Sequence, residues 1–154
     1  MLSDEDFWAR LAYEAKLLRQ EEPTFKPVKG DLRKWRGYIL GTSIYDGGVF
    51  EIEIEIPRTF PFDPPKVRFL TPIWHPNIYQ GRVCVGILGK DWTPTISLTG
   101  VIETIRNLLN YPNPDDPLNR DAANEMKKNP EKFKKKVKEW IKKYATWEKL
   151  GKYR

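Results

Sequence analysis

The sequence predicts an α+β domain in which the helices are segregated from an antiparallel sheet. Three observations carry that prediction. Phe50, Ile52, Ile54 and Ile56 alternate with Glu51, Glu53 and Glu55, so this strand has one apolar and one wet face, as antiparallel rather than doubly wound parallel sheets do. Apolar residues before position 20 and after position 97 recur instead at helical spacing. The elements also come in runs, a helix, then strands, then a long irregular stretch, then helices, with no strand–helix alternation. At 154 residues the chain is read as one domain, 1–154, large enough to bury a core.

Taken in order, Ser3 to Gln20 is an amphipathic helix with Phe7, Leu11, Ala15 and Leu18 on one face. Ser3 is its cap with Asp6 three residues on, and Glu22-Pro23 stops it. Trp35 to Leu40 and Phe50 to Ile56 are strands, with Asp46-Gly47-Gly48 supplying the turn between them. Lys66 to Leu70 is a third strand after a proline-studded bend. From Thr71 to Ser97 turn residues dominate, and a loop of that length inside a compact domain is usually functional. Leu98, Val101, Ile102, Ile105, Leu108 and Leu109 mark an apolar helix suited to the isoleucine face. Asn113-Pro114-Asp115-Asp116-Pro117-Leu118 lies in the stretch that ends it. A short helix at 119–127 and a long one from Pro130 finish the chain, with Asn129 and Pro130 as cap and first turn. Phe133, Val137, Trp140, Ile141 and Tyr144 form the stripe of the last helix that is expected to be buried.

Composition narrows the function classes. Apolar residues make up 40% and aromatics 13% of the chain, which excludes a disordered polymer. No run approaches the roughly 18 apolar residues of a membrane span. The N-terminus is acidic where a secretory signal is basic, and a lone cysteine cannot close an intrachain disulfide, so a reducing cytoplasm is expected. One cysteine and one histidine exclude a multi-cysteine zinc site and most other zinc sites, and no cofactor is expected. The net charge of +6 comes largely from nine lysines between Lys127 and Lys143. That run reads as a solvated helix face. Specific nucleic-acid binding is disfavoured because no neighbouring arginine is placed to read base edges; an acidic protein partner stays open.

The irregular stretch holds both His75 and Cys84. A free cysteine is by itself most often a small buried hydrophobe. Here it sits in Gly81-Arg82-Val83-Cys84-Val85-Gly86, between glycines and near an arginine, where a thiol can be reached. In His75-Pro76-Asn77 the proline fixes the loop, and His75 is expected to hydrogen-bond backbone groups. Asn77 carries an amide NH₂ of the kind that recurs opposite developing oxyanions.

His75-Pro76-Asn77, Cys84 and Trp92-Thr93-Pro94 together resemble the active-site segment of ubiquitin-conjugating enzymes. The resemblance covers roughly Phe7 to Ala145. Tyr45-Asp46-Gly47-Gly48-Val49-Phe50 is similar to that family's hairpin, Phe60-Pro61-Phe62-Asp63-Pro64-Pro65-Lys66-Val67 to its proline-rich bend, and the 113–118 segment to its gate loop. This implies a fold with a four-stranded antiparallel sheet, an N-terminal helix, a central helix and two C-terminal helices. It implies that an activating enzyme passes a ubiquitin-like modifier to Cys84 as a thioester. The amine of a lysine in a protein substrate then takes it, usually with a RING-type ligase. On the same basis Asn77 stabilises the oxyanion or braces the loop, Asp116 orients the incoming lysine, Tyr79 lines its approach, Leu118 walls the thiol, and His75 and Pro76 shape the loop. Phe62, Trp92, Pro94 and Thr95 match the site where ligases dock, and Arg10 and Tyr13 its rim, which the activating enzyme shares. Phe62 taken alone reads equally as an anchor or a core residue.

Three features depart from the family pattern. The interval from Asn77 to Cys84 is one residue shorter than in the commonest members. Gly86 and Gly89 stand where many members have polar or charged residues. Glu51, Glu53 and Glu55 form an acidic stripe, expected to be solvated and partly paired, with Arg36 and Tyr38 sharing its face. The competing readings are a catalytically silent adaptor of the same fold and a basic nucleic-acid-binding domain. The first has no use for Cys84, Asn77 and Asp116 together, and the second rests on the lysine run alone.

Overall fold

The computed structural model describes residues 1–154. The chain runs α1 (Asp4–Glu21), β1 (Lys26–Val28), β2 (Asp31–Leu40), a 3₁₀ turn (Ser43–Tyr45), β3 (Val49–Glu55), β4 (Lys66–Phe69), β5 (Ile78–Tyr79), β6 (Arg82–Val83), a second 3₁₀ turn (Gly86–Leu88), α2 (Leu98–Asn110), α3 (Arg120–Lys128), α4 (Pro130–Tyr144) and a third 3₁₀ turn (Trp147–Lys149). The sheet is antiparallel throughout, in the order β1-β2-β3-β4-β6-β5. It has six strands rather than four. The expected four-stranded meander is β1 to β4, and a hairpin of two-residue strands adds β5 and β6 inside the 71–97 stretch.

Local chemistry sets the helix ends. Ser3 Oγ accepts from the Asp6 N–H at 3.1 Å, and Ser97 Oγ does the same for Gly100 at 3.1 Å. Asn119 and Asn129 cap α3 and α4 through the Ala122 and Lys132 N–H groups. Each such cap satisfies a donor the helix leaves orphaned, a contribution of about 1 kcal/mol.

The apolar faces meet as the alternation requires. Ile52, Ile54 and Ile56 join Val101, Ile102 and Ile105 of α2 and Phe7, Leu11 and Leu18 of α1 in one cluster. Each fully buried side chain of this kind stabilises by about 1.5–3 kcal/mol. The last helix departs from expectation: Phe133 and Val137 are buried, but Trp140, Ile141 and Tyr144 are only partly covered. The edge of the core there is an aromatic seam, with Trp74 and Trp140 5.3 Å apart.

The acidic stripe is paired with Arg36 as expected, but it is less solvated than its pattern predicts. Glu51 and Glu53 are buried, and only Glu55 is exposed. Glu53 lies under Arg36 at 2.9 Å, Arg68 at 3.6 Å and Lys34 at 3.8 Å. Burial works to raise its carboxyl, but those cations outweigh it and hold the group below its usual range. Glu51 is covered by the segment after α4, where Arg154 reaches it at 2.9 Å and Trp147 packs edge-on against Tyr38 at 5.3 Å. No helix is long and apolar enough to cross a membrane.

Candidate active site

The site is assembled around His75, whose side chain is fully buried. Its Nδ1 accepts from the Asn77 N–H at 2.9 Å, which leaves Nε2 as the donor to the Leu108 carbonyl at 3.0 Å. The ring stacks on Tyr45 at 5.3 Å. Burial pushes its pKa down to about 4, against the opposing effect of the Leu108 hydrogen bond. The neutral imidazole thus ties the start of the loop to α2 and shapes the turn that carries Asn77.

Asn77 in turn positions Cys84. Its carbonyl accepts from the Cys84 N–H at 3.0 Å, one step beyond the Ile78–Val83 and Tyr79–Arg82 pairs. The turn that closes the hairpin is Gln80-Gly81, with φ of 51° and 81°, the conformation two-residue hairpin turns favour. The shortened spacer is therefore a tight hairpin with Asn77 and Cys84 facing each other at its open end.

The Asn77 side chain is 2% exposed and its hydrogen-bonding groups are engaged. Nδ2 donates to the carbonyls of Asn113 at 2.9 Å and Asp116 at 3.1 Å, and Oδ1 accepts from the Asn113 N–H at 2.7 Å. The Pro76 carbonyl accepts from the Leu118 and Asn119 N–H groups at 2.8 and 2.9 Å. The gate loop is stitched to the 75–77 turn by five hydrogen bonds. Asp116 is exposed, held through its carbonyl and free at its carboxylate end.

Cys84 is exposed in an open groove of about 330 Å³, with Leu118 and Val85 as apolar walls and Arg82 at one end. Of Cys84, Asn77, Asp116 and Tyr79, only Cys84 lines this groove. Tyr79, 41% exposed, borders a second cavity of about 350 Å³ with Trp74, Trp140 and Tyr153. Gly86 begins the 3₁₀ turn after the cysteine, and its carbonyl accepts from the Gly89 and Asp91 N–H groups, both at 2.9 Å.

Most of the residues matched to a docking surface are exposed. Phe62 is 51% and Tyr13 57% exposed, and Pro94 and Thr95 are exposed as well, so Phe62 is not a core residue. Trp92 is half-buried. Its Nε1 donates to the Pro61 carbonyl at 2.8 Å, and its ring lies 6.0 Å from Phe60. Arg10 serves as a strut for this loop: it donates to the carbonyls of Pro94 and Ile96 at 2.9 and 3.1 Å and covers Phe60 at 5.0 Å.

One residue of this brace escapes a reading of helical spacing alone. Glu14 is 1% exposed, accepts from the Leu98 N–H at 2.6 Å and pairs with Arg10 at 3.7 Å. Burial raises its pKa, opposed by the Leu98 hydrogen bond and by Arg10. Its position three residues after Leu11, on the apolar stripe of α1, is the signal that a carboxylate is buried there.

Comparison with known proteins agrees with this geometry. The family model described as ubiquitin-conjugating enzyme matches residues 10–141. The chain is 41% identical over 138 residues to Homo sapiens ubiquitin-conjugating enzyme E2 K, an alignment spanning 84% of this chain and 69% of that protein. It is 40% identical over 147 residues to Homo sapiens ubiquitin-conjugating enzyme E2 T, spanning 89% of this chain and 75% of the relative. The solved E2 domain of a Toxoplasma gondii ubiquitin conjugating enzyme superposes with a TM-score of 0.85 at 36% identity, covering 90% of this chain and 99% of that one. An exposed cysteine paired with a buried asparagine beneath a stitched gate loop, in a chain that matches the family model across most of its length, therefore places this protein in the ubiquitin-conjugating enzyme family.

Proposed function

We propose that residues 1–154 act as one catalytic domain in which Cys84 carries ubiquitin or a ubiquitin-like modifier as a thioester. The observation that carries this reading is the exposed Cys84 thiol in a groove, its backbone locked to Asn77. The Cys84 thiolate attacks the thioester carbonyl at the modifier's C-terminal glycine, and the activating enzyme's thiol leaves. In the second step a substrate lysine amine attacks the new thioester, the Cys84 thiolate departs and the amine loses a proton. ATP is spent upstream by the activating enzyme, so this chain needs no cofactor of its own.

The residues divide the work by what they touch. Asn77 holds the gate loop in register, because its NH₂ protons are committed to Asn113 and Asp116. The exposed Asp116 carboxylate orients the incoming lysine and takes up the proton its amine loses on attack. Tyr79, opposite Arg82 of the Cys84 groove rather than in the groove itself, borders the lysine's approach from there, and Leu118 walls the thioester from one side. Phe62, Trp92, Pro94, Thr95 and Tyr13 form the surface for a RING-type ligase and the activating enzyme, with Arg10 fixing its loop. A free thiol suits a reducing cytoplasm.

The test is incubation with activating enzyme, modifier and ATP, followed by paired non-reducing and reducing gels. The reading predicts an adduct that is lost on reduction and absent from Cys84→Ala. Failure to form any adduct with activating enzymes that charge ubiquitin-conjugating relatives counts against it and favours the silent adaptor.

A further inference from the structure

The sheet face turned away from the helices carries a row of charge running across the strands. Cross-strand register sets Lys26 opposite Arg36, Arg36 opposite Glu53, Glu53 opposite Arg68, and Arg68 opposite Arg82. One carboxylate stands among four cations. The adjoining row adds two more cations around one carboxylate, as Lys34, Glu55 and Lys66. Glu51 is already taken by Arg154.

The surplus is concentrated at the β4–β6 end. The Phe69 N–H donates to the Gly81 carbonyl at 2.8 Å, which makes Arg68–Arg82 the non-hydrogen-bonded kind of antiparallel pair, with Cα atoms about 4.5 Å apart. Like charges directly opposite repel. Glu53 answers this pair only in part: Arg36 holds its Oε2 at 2.9 Å, Arg68 at 3.6 Å shares its Oε1 with Lys34 at 3.8 Å, and it makes no ion pair with Arg82. Arg68 is 58% exposed at its side chain, and Arg82 is exposed and enters no ion pair. Such a field is answered by an anion brought from outside. Arg82 also joins two concavities, one with Glu53, Glu55, Lys66 and Arg68, the other the groove of Cys84.

We infer that this row docks an acidic segment of the protein substrate, holding its carboxylates on Arg68 and Arg82 while the neighbouring lysine enters at Cys84. The inference rests on the conjugating-enzyme reading for the role of the lysine. Arg82 lies two residues from Cys84, roughly 7 Å along a strand, and Arg68 one strand further, so carboxylates about two to four residues from the lysine reach them. A nucleic acid fits less well. A uniform line of phosphates running across this face meets the carboxylates of Glu53 and Glu55.

Fluorescence anisotropy tests the surface without any need for charging. The probes are a lysine-centred peptide flanked by glutamates and the same peptide with glutamines. The acidic peptide is expected to bind roughly tenfold tighter, and the preference to shrink as salt rises from about 50 to about 300 mM. Lys66→Glu/Arg68→Glu abolishes the preference, and Lys66→Gln/Arg68→Gln reduces it; both are checked for fold by circular dichroism. Discharge of the Cys84 thioester onto the two peptides follows the same order, while discharge onto free lysine is equal for wild type and both variants. Equal binding of the two peptides, a preference that survives charge reversal, or tighter binding of a single-stranded oligonucleotide overturns the inference. Normal charging without peptide discrimination removes the docking site alone. Discrimination without charging leaves the docking site and removes the enzyme reading.

Discussion

His75 and Asn77 are both buried, yet their protonation and hydrogen bonding have opposite consequences for what can be measured. His75 is neutral in the fold with a pKa of about 4, below the roughly 6.5 of a free imidazole. A depressed histidine contributes stability that is full above the unfolded value and lost as pH falls toward the folded one. Chemical denaturation should therefore show stability declining from about pH 6.5 toward pH 4, by up to about 3 kcal/mol from this residue. Glu14 works the other way, since its raised carboxyl makes acidification relieve a penalty. The His75 contribution is isolated as the difference between wild type and His75→Gln, which keeps a donor toward Leu108 and does not titrate. An equal pH slope in both proteins contradicts the assignment. For Asn77, the loop-brace role predicts that Asn77→Ala loses about 2 kcal/mol of stability along with isopeptide formation, because it leaves the carbonyls of Asn113 and Asp116 unpaired. A purely oxyanion-directed amide predicts lost turnover with unchanged thermal stability. The accessibility of Cys84 was legible in the sequence, from its setting between glycines. The commitment of the Asn77 side chain was not, because its partners lie 36 and 39 residues away and no local pattern encodes them.

At the scale of elements, legibility follows length and periodicity. The first and central helices and the long strands could be read because each repeats a pattern over several turns or pleats, and the Ser3 and Asn129 caps because each stands just before such a run. Strands β5 and β6 could not, since two residues show no alternation and Gln80-Gly81 lacks the Asn-Gly or Asp-Gly signature of such turns. Their glycine is nonetheless required. Gly81 has φ of 81°, and a Cβ there would stand 2.7 Å from the Phe69 carbonyl oxygen. Gly81→Val should cost upwards of about 1–3 kcal/mol and slow thioester formation at Cys84, read by melting temperature and single-turnover charging. Wild-type behaviour in both would show that the hairpin does not position the thiol. The Arg10–Glu14 brace belongs to this scale too. Arg10→Ala frees the carbonyls of Pro94 and Ile96 and leaves Glu14 buried without its cation. It should weaken ligase-stimulated discharge while leaving unstimulated discharge near wild type, a split that titration of a RING-type ligase measures.

Across the whole molecule, the sheet separates two kinds of stabilisation. One face is an apolar core shared with α1 and α2. The other is a layer of cations and carboxylates whose central member, Glu53, is held below its usual range. The alternating glutamates predicted the sheet class correctly and their solvation wrongly, because arginines on neighbouring strands and the segment ending at Arg154 cover them. A lowered carboxyl contributes stability above its unfolded pKa and loses it as pH falls through the folded one, so Glu53 adds to acid sensitivity below about pH 4.5. All of this scaffolding converges on one exposed sulfur, and intact-mass spectrometry of the charging reaction tests its role most directly. The account predicts a single added modifier on the wild-type protein that thiols remove, none on Cys84→Ala, and a thiol-resistant ester on Cys84→Ser. A modifier that persists on Cys84→Ala, or a wild-type protein left unmodified by activating enzymes that charge its relatives, would contradict it.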